Sequence, residues 1–165
     1  MKLILALLFS LPLLAQQQYR WVTQASAVSV TSSYTVTIQQ AASNNPQIFI
    51  DQMTFSSSSA YTVQMIANGT PATATAGTIT PLLPSPLNTP VPFNVFVASD
   101  VGSGTAQSAV ISIPAGSPPI TLCFTQSCGN PAQVSIGTGG TAANYSFVVT
   151  LSSGTLDYGI YGRWQ

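Results

Sequence analysis

Histidine and glutamate are absent from this 165-residue chain, and its one lysine, Lys2, stands ahead of the first apolar run. The other charged residues are Arg20, Arg163, Asp51, Asp100 and Asp157, so that 4% of the chain is charged, against about a quarter in ordinary globular domains. This scarcity excludes much chemistry. General acid–base catalysis draws on groups that exchange protons near neutral pH, histidine first among them. Serine is abundant, but a serine nucleophile needs a basic partner, and no histidine or nearby lysine supplies one. Two arginines near opposite ends of the chain do not make the basic stripe that neutralises phosphates, and they do not draw the chain to an anionic membrane. The expectation is a non-enzyme with no nucleic-acid partner.

Metal and cofactor sites are equally short of ligands. Zinc takes four nitrogen or sulfur ligands, and calcium six to eight oxygens, usually from an aspartate-rich loop. Neither set is present, and no metal or cofactor is expected. Gly137-Thr138-Gly139-Gly140 has no lysine after it and opens no helix, so it reads as a turn and not a phosphate loop. Asp100 and Asp157 lie in glycine-rich stretches and read as turn residues that bond their own backbone. Nothing pairs two carboxylates across a cleft as glycoside hydrolysis requires.

Turning to what is present, Met1 and Lys2 precede an apolar block over residues 3–14 that ends at Ala15. One positive charge, a short apolar run and a small residue are the layout of a cleaved secretory signal, too short for the roughly 20 residues that span a bilayer. Residues 1–15 are expected to be removed. Gln16 follows, not cysteine, so no lipid anchor is expected, and no second long apolar run supplies a transmembrane anchor after processing. Cys123 and Cys128 are the only cysteines. In an oxidising compartment such a pair is most simply a disulfide.

Hydrophobic residues make up 45% of the chain, enough to argue for folding and against disorder. They recur with period two. Val28, Val30, Tyr34, Val36 and Ile38 alternate with serine, threonine and glutamine, which predicts one long strand bent near Ser32–Ser33. Further strands are expected over residues 48–55, 61–66, 93–97, 109–113, 120–124, 134–136, 145–151 and 160–164. No stretch beyond the leader has helical periodicity. The reading is an all-β fold: a single antiparallel β-sandwich of jelly-roll or Ig-like topology over residues 16–165, with about 8–10 strands. Residues 81–92 carry five prolines, at 81, 84, 86, 90 and 92, and are expected to form a crossover loop because proline cannot join a central ladder.

Asp51 is the charge that fits worst. Strict alternation sets it on one face with Phe49, Met53 and Phe55, and burying an unpaired carboxylate costs several kcal/mol. Three readings stay open: a bulge near Asp51–Gln52 that lets Ile48, Ile50, Met53 and Phe55 share a face, an ion pair with Arg20 or Arg163, or a functional carboxylate. Trp21 and Trp164 lie near the two chain ends with Tyr19, Tyr158 and Tyr161 close by. If the end strands pair, these rings form one cluster that packs the core or closes its end, with Arg20 and Arg163 against it. Alternatively, Trp21, Trp164, Tyr19 and Tyr161 contact a sugar or a peptide. Asn68-Gly69-Thr70 and Asn144-Tyr145-Ser146 match the N-glycosylation pattern, a weak signal.

The functional expectation is a non-catalytic, secreted or cell-surface module of bacterial type with a structural, adhesive or self-assembling role. Its partners would be itself, through edge strands that lack guarding charge, or surface glycans. A carbohydrate-binding module using exposed aromatics is the alternative. A phage-like decoration domain and a small outer-membrane barrel are lesser ones.

Overall fold

The structure is a computed structural model that describes residues 19–41, 46–70, 75–82, 91–98, 103–106, 108–125, 128, 134–137 and 143–165. The expected leader at 1–15, Asp100, residues 138–140 and most of the proline-rich stretch lie outside the described residues.

Described residues form strands and no helix. β1 (Tyr19–Val30), β3 (Ile48–Ser57), β6 (Thr80–Pro81), β10 (Ile120–Cys123), β11 (Val134–Ile136) and β13 (Gly154–Trp164) make one sheet. Its order is β10-β3-β13-β1-β6, with β11 also on β3. β2 (Ser33–Gln40), β4 (Tyr61–Thr70), β5 (Thr75–Ala76), β7 (Phe93–Ala98), β8 (Ser103–Ala106), β9 (Ile111–Ile113) and β12 (Asn144–Leu151) make the other. That order is β5-β7-β2-β12-β4-β8, with β9 also on β4. All pairings are antiparallel. The two sheets pack face to face as a β-sandwich, and both have open edges, so the described strands do not close into a barrel.

Strand pairing is nested: β1 with β13, β2 with β12, β3 with β10 and β11, β4 with β8 and β9. Each of the first four strands therefore lies in the sheet opposite its predecessor. This corrects the single bent strand expected across residues 28–39. The chain leaves β1 at Val30, turns at Thr31 and Ser32, and re-enters as β2 in the other sheet, where Leu151 N–H donates to Ser32 O at 3.1 Å. Alternation continues through the turn, so periodicity alone does not mark a change of sheet. The described residues form thirteen strands where about eight to ten were expected, because β5, β6 and β8 are too short, and too poor in large apolar residues, to leave a pattern.

The core lies between the sheets. Val36, Ile38, Val63, Phe147 and Val149 face Ile50, Met53, Phe55, Leu156 and Ile160, all buried. Rings link the layers: Trp21 to Phe93 at 4.7 Å between centroids, Phe93 to Trp164 at 6.0 Å, and Tyr34 to Tyr158 at 5.9 Å. Gly162 makes room for the first of these. A Cβ there would stand 2.5 Å from Trp21 Cζ2 and closer still to the Phe49 carbonyl oxygen, so only glycine lets the indole lie against β13. Thr35, Thr37 and Ser146 belong to the hydroxyl-bearing side of their strands, yet they are buried, and Thr37 Oγ1 and Ser146 Oγ share a hydrogen bond of 2.8 Å. The middle of the hydroxyl face of β2 is thus covered, while Gln39 at its end is exposed.

Candidate functional site

The residues singled out in the sequence sort into three places. Trp21 and Trp164 are 0% and 2% exposed. Their rings belong to the core cluster, which leaves no open ring face for a sugar at those positions. Tyr19 stacks on Trp164, with centroids 5.1 Å apart and planes inclined at 18°. The end strands pair as the cluster requires, Tyr19 opposite Trp164 and Arg20 opposite Arg163.

Asp51 sits at a bulge. In the β3–β13 ladder Gln52 pairs with Tyr161 and Ile50 with Gly162, so Asp51 is the extra residue. A bulge of this kind shifts the alternation by one, and Ile48, Ile50, Met53 and Phe55 all reach the core. On its other side the bulge faces the gap between β10 and β11, where Phe124 N–H donates to the Asp51 carbonyl at 2.8 Å. The freed carboxylate turns to Arg163, which donates from Nη1 to Oδ1. The same guanidinium lies over the Phe49 ring, 4.7 Å from its centroid. Arg20 is exposed and stands beside Arg163 without sharing this pair. Cys123 and Cys128, next to the bulge, form a disulfide with Cα atoms 6.1 Å apart, inside the usual span.

Asp157 departs from the expected turn. It lies within β13, on the outward side of the sheet with Gly159 and Tyr161. β1 carries a second bulge opposite it: Ala25 pairs with Tyr158 and Val28 with Leu156, leaving Ser26 and Ala27 facing Asp157 alone. Ala27 adopts φ of 55°, a left-handed conformation unfavourable for a residue with a Cβ. The Asp157 carboxylate fixes it, accepting from Ala27 N–H at 2.7 Å and from Ser56 Oγ at 3.2 Å.

These groups border a groove of about 430 Å³ on the outer face of the first sheet, running across β1, β13 and β3. Gln24 and Ser26 line one side, Thr54 and Ser56 the other, Asp157 and Tyr161 flank the central strand, and Pro119 stands at the rim. Gly159 forms the floor between Gln24 and Thr54. A Cβ at 159 would meet Tyr161 Cε2 and Thr54 Oγ1, each at 3.0 Å, and Tyr161 Oη at 3.2 Å; the tyrosine ring therefore lies along the strand over the glycine. Of this set, Tyr161 alone was singled out in the sequence as a ligand contact. The signal for its neighbours was the Asp157, Gly159, Tyr161 alternation, hidden by reading the glycines as a turn.

A second cavity, of about 210 Å³, opens where β10 and β9 leave the sandwich mouth uncovered. Met53, Val63, Met65, Ile111, Leu122 and Phe124 line it. It is mainly apolar, while the groove mixes polar and apolar surface. Among the described residues no group of three or more acidic, cysteine or histidine side chains could hold a metal ion, and no helix is long and apolar enough to cross a membrane. No protein-family model, curated protein or solved structure matches the chain.

Proposed function

We propose that this chain is a non-catalytic jelly-roll module of the extracytoplasmic surface, with a structural or adhesive role exercised through its edge strands. The nested pairing of β1 with β13, β2 with β12, β3 with β10 and β4 with β9 supports the jelly-roll reading, in which two Greek keys interlock. The disulfide fits an oxidising compartment. All four described charges stand on β1, β3 and β13, adjacent strands of one sheet. Three of them already have structural work: Asp51 and Arg163 hold each other, and Asp157 holds the β1 bulge.

The observation that carries the reading is the bare edge. β8, β9, β10 and β11 contain no charged residue, and Val110 and Ile111 are exposed beside the apolar mouth. Sheets usually protect such edges with charged side chains, lysine above all. An uncharged edge over an apolar slot invites an added strand, and a second copy of this chain offers the same uncharged edge. Sedimentation velocity over a range of concentrations tests this. The expected result is concentration-dependent association that Ile111→Lys abolishes. A product that stays monomeric at high concentration overturns the assembly role.

A further inference from the structure

We propose that the groove across β1, β13 and β3 binds a neutral saccharide, with the Tyr161 ring as its stacking platform. The inference deepens the adhesive reading by naming what the surface grips, and it rests on that reading for its biological sense.

Several features of the groove together select this ligand class. Its aromatic lies down: Gly159 lets the Tyr161 ring rest along the strand, half-buried, at the edge of the cavity. A ring held flat offers an apolar face to the C–H side of a pyranose at little entropic cost, because the tyrosine has few torsions to freeze. Hydrogen-bonding groups surround it. Gln24 supplies an amide that donates and accepts, and Thr54, Ser56 and Ser26 supply hydroxyls that do both. The Asp157 carboxylate is a fixed acceptor. Each of its oxygens already holds one donor, Ala27 N–H and Ser56 Oγ–H, and an ionised carboxylate has about four acceptor sites, so further sugar hydroxyls find lone pairs there.

Charge decides between polyols. The groove contains one negative group and no cation, which opposes phosphorylated, sulfated and uronic-acid ligands. Its polar border opposes a lipid. Size agrees: 430 Å³ lies within the range of about 300–1000 Å³ typical of small-ligand sites. From β1 to β3 the floor is two strand spacings wide, about 10 Å, which accommodates a short oligosaccharide. The groups stand on three paired strands and not on loops, so the site is formed before the ligand arrives.

The test is an array of neutral oligosaccharides of gluco, galacto, manno and xylo configuration, probed with the purified protein. The best binder is then titrated while backbone amide resonances are followed. The expected result is saturable binding with shifts concentrated at Gln24, Thr54, Gly159 and Tyr161. Tyr161→Ala should weaken it at least about tenfold and Asp157→Asn by about tenfold, while Tyr161→Phe keeps most of the affinity. The shift map is read on the unaltered protein, so it stands even if a variant fails to fold. Failure to bind any neutral glycan, binding only to anionic ones, or shifts confined to the β9–β10 mouth overturns the proposal. The two readings fail separately: glycan binding by a protein that stays monomeric at high concentration overturns only the edge role, and self-association abolished by Ile111→Lys in a protein that binds no neutral glycan overturns only the groove.

Discussion

Asp51 shows how a single charge is accommodated in a strand that the core needs on both sides of it. Its carboxylate and the Arg163 guanidinium are each about a fifth to a quarter exposed, so neither the fully solvated nor the fully buried limit applies. A surface pair contributes at most about 1 kcal/mol, and breaking a buried one costs about 3–5 kcal/mol. Replacing Arg163 by alanine also removes its packing over Phe49, and leaves a mostly covered carboxylate without its cation. We expect Arg163→Ala to lower stability by about 1–3 kcal/mol, read from urea denaturation, with Arg163→Lys recovering only part because it loses the planar contact with the ring. The same change at Arg20, which is exposed and outside the pair, should cost far less. Equal losses at the two arginines would show that the ion pair contributes nothing specific. In the sequence, the misfit of Asp51 with its alternating neighbours marked the place, and both the bulge and the arginine partner were among the readings left open. The choice of Arg163 over Arg20 was not legible, because it depends on β13 lying between β1 and β3.

At the scale of the elements, two bulges of the first sheet do the shaping. One in β3 turns Asp51 out of the ladder, and one in β1 sets Ser26 and Ala27 opposite Asp157. Period-two reading located most strands because each buries one face, and it erred where a strand is interrupted without losing its period. The switch of sheets between β1 and β2 is such a case. Tyr19–Ala27 is another: its inward positions include Trp21 and Thr23, and from Thr23 to Ala27 small and polar residues conceal the strand. Asp157 was misread for the opposite reason. Its flanking glycines look like turn residues, but Gly159 and Gly162 are flat strand positions kept small for the rings of Tyr161 and Trp21. The β1 bulge carries its own prediction. Alanine at φ of 55° costs about 1 kcal/mol relative to glycine, partly offset by the greater freedom glycine gives the unfolded chain. Ala27→Gly should therefore raise stability by about 0.5 kcal/mol in chemical denaturation. A loss of stability would mean that the alanine methyl makes a contact worth more than the strain it brings.

For the whole molecule, the missing charges govern its response to solution conditions. With no histidine, both cysteines in a disulfide, and Lys2 alone ahead of the described chain, the side chains present leave the interval from about pH 5 to 9 with only the N-terminal amine to titrate. Stability should be nearly flat across it and insensitive to salt, since few exposed charges remain to be screened. Alkali is different. Burial pushes the Tyr158 phenol well above its ordinary value of 10.0, and the adjoining Tyr34 pushes it further. Burial also raises Tyr34 and Tyr61, whose hydroxyl donates to the Phe55 carbonyl at 3.0 Å. A group whose folded pKa is raised stabilises the fold while it is protonated. Below the ordinary value these phenols are protonated in both states, and their contribution is fully present. Above it the unfolded chain releases protons that the folded one retains, so stability falls as pH climbs past about 10. Melting temperatures should hold steady from pH 5 to 9 and then drop. Tyr158→Phe, which removes the most strongly shifted phenol, should make that drop shallower while lowering the plateau through loss of its hydrogen bond to Tyr34. An alkaline slope identical in the variant would place the sensitivity in the other tyrosines, and a melting temperature that swings by many degrees between pH 5 and 9 would contradict the charge-poor account of this fold.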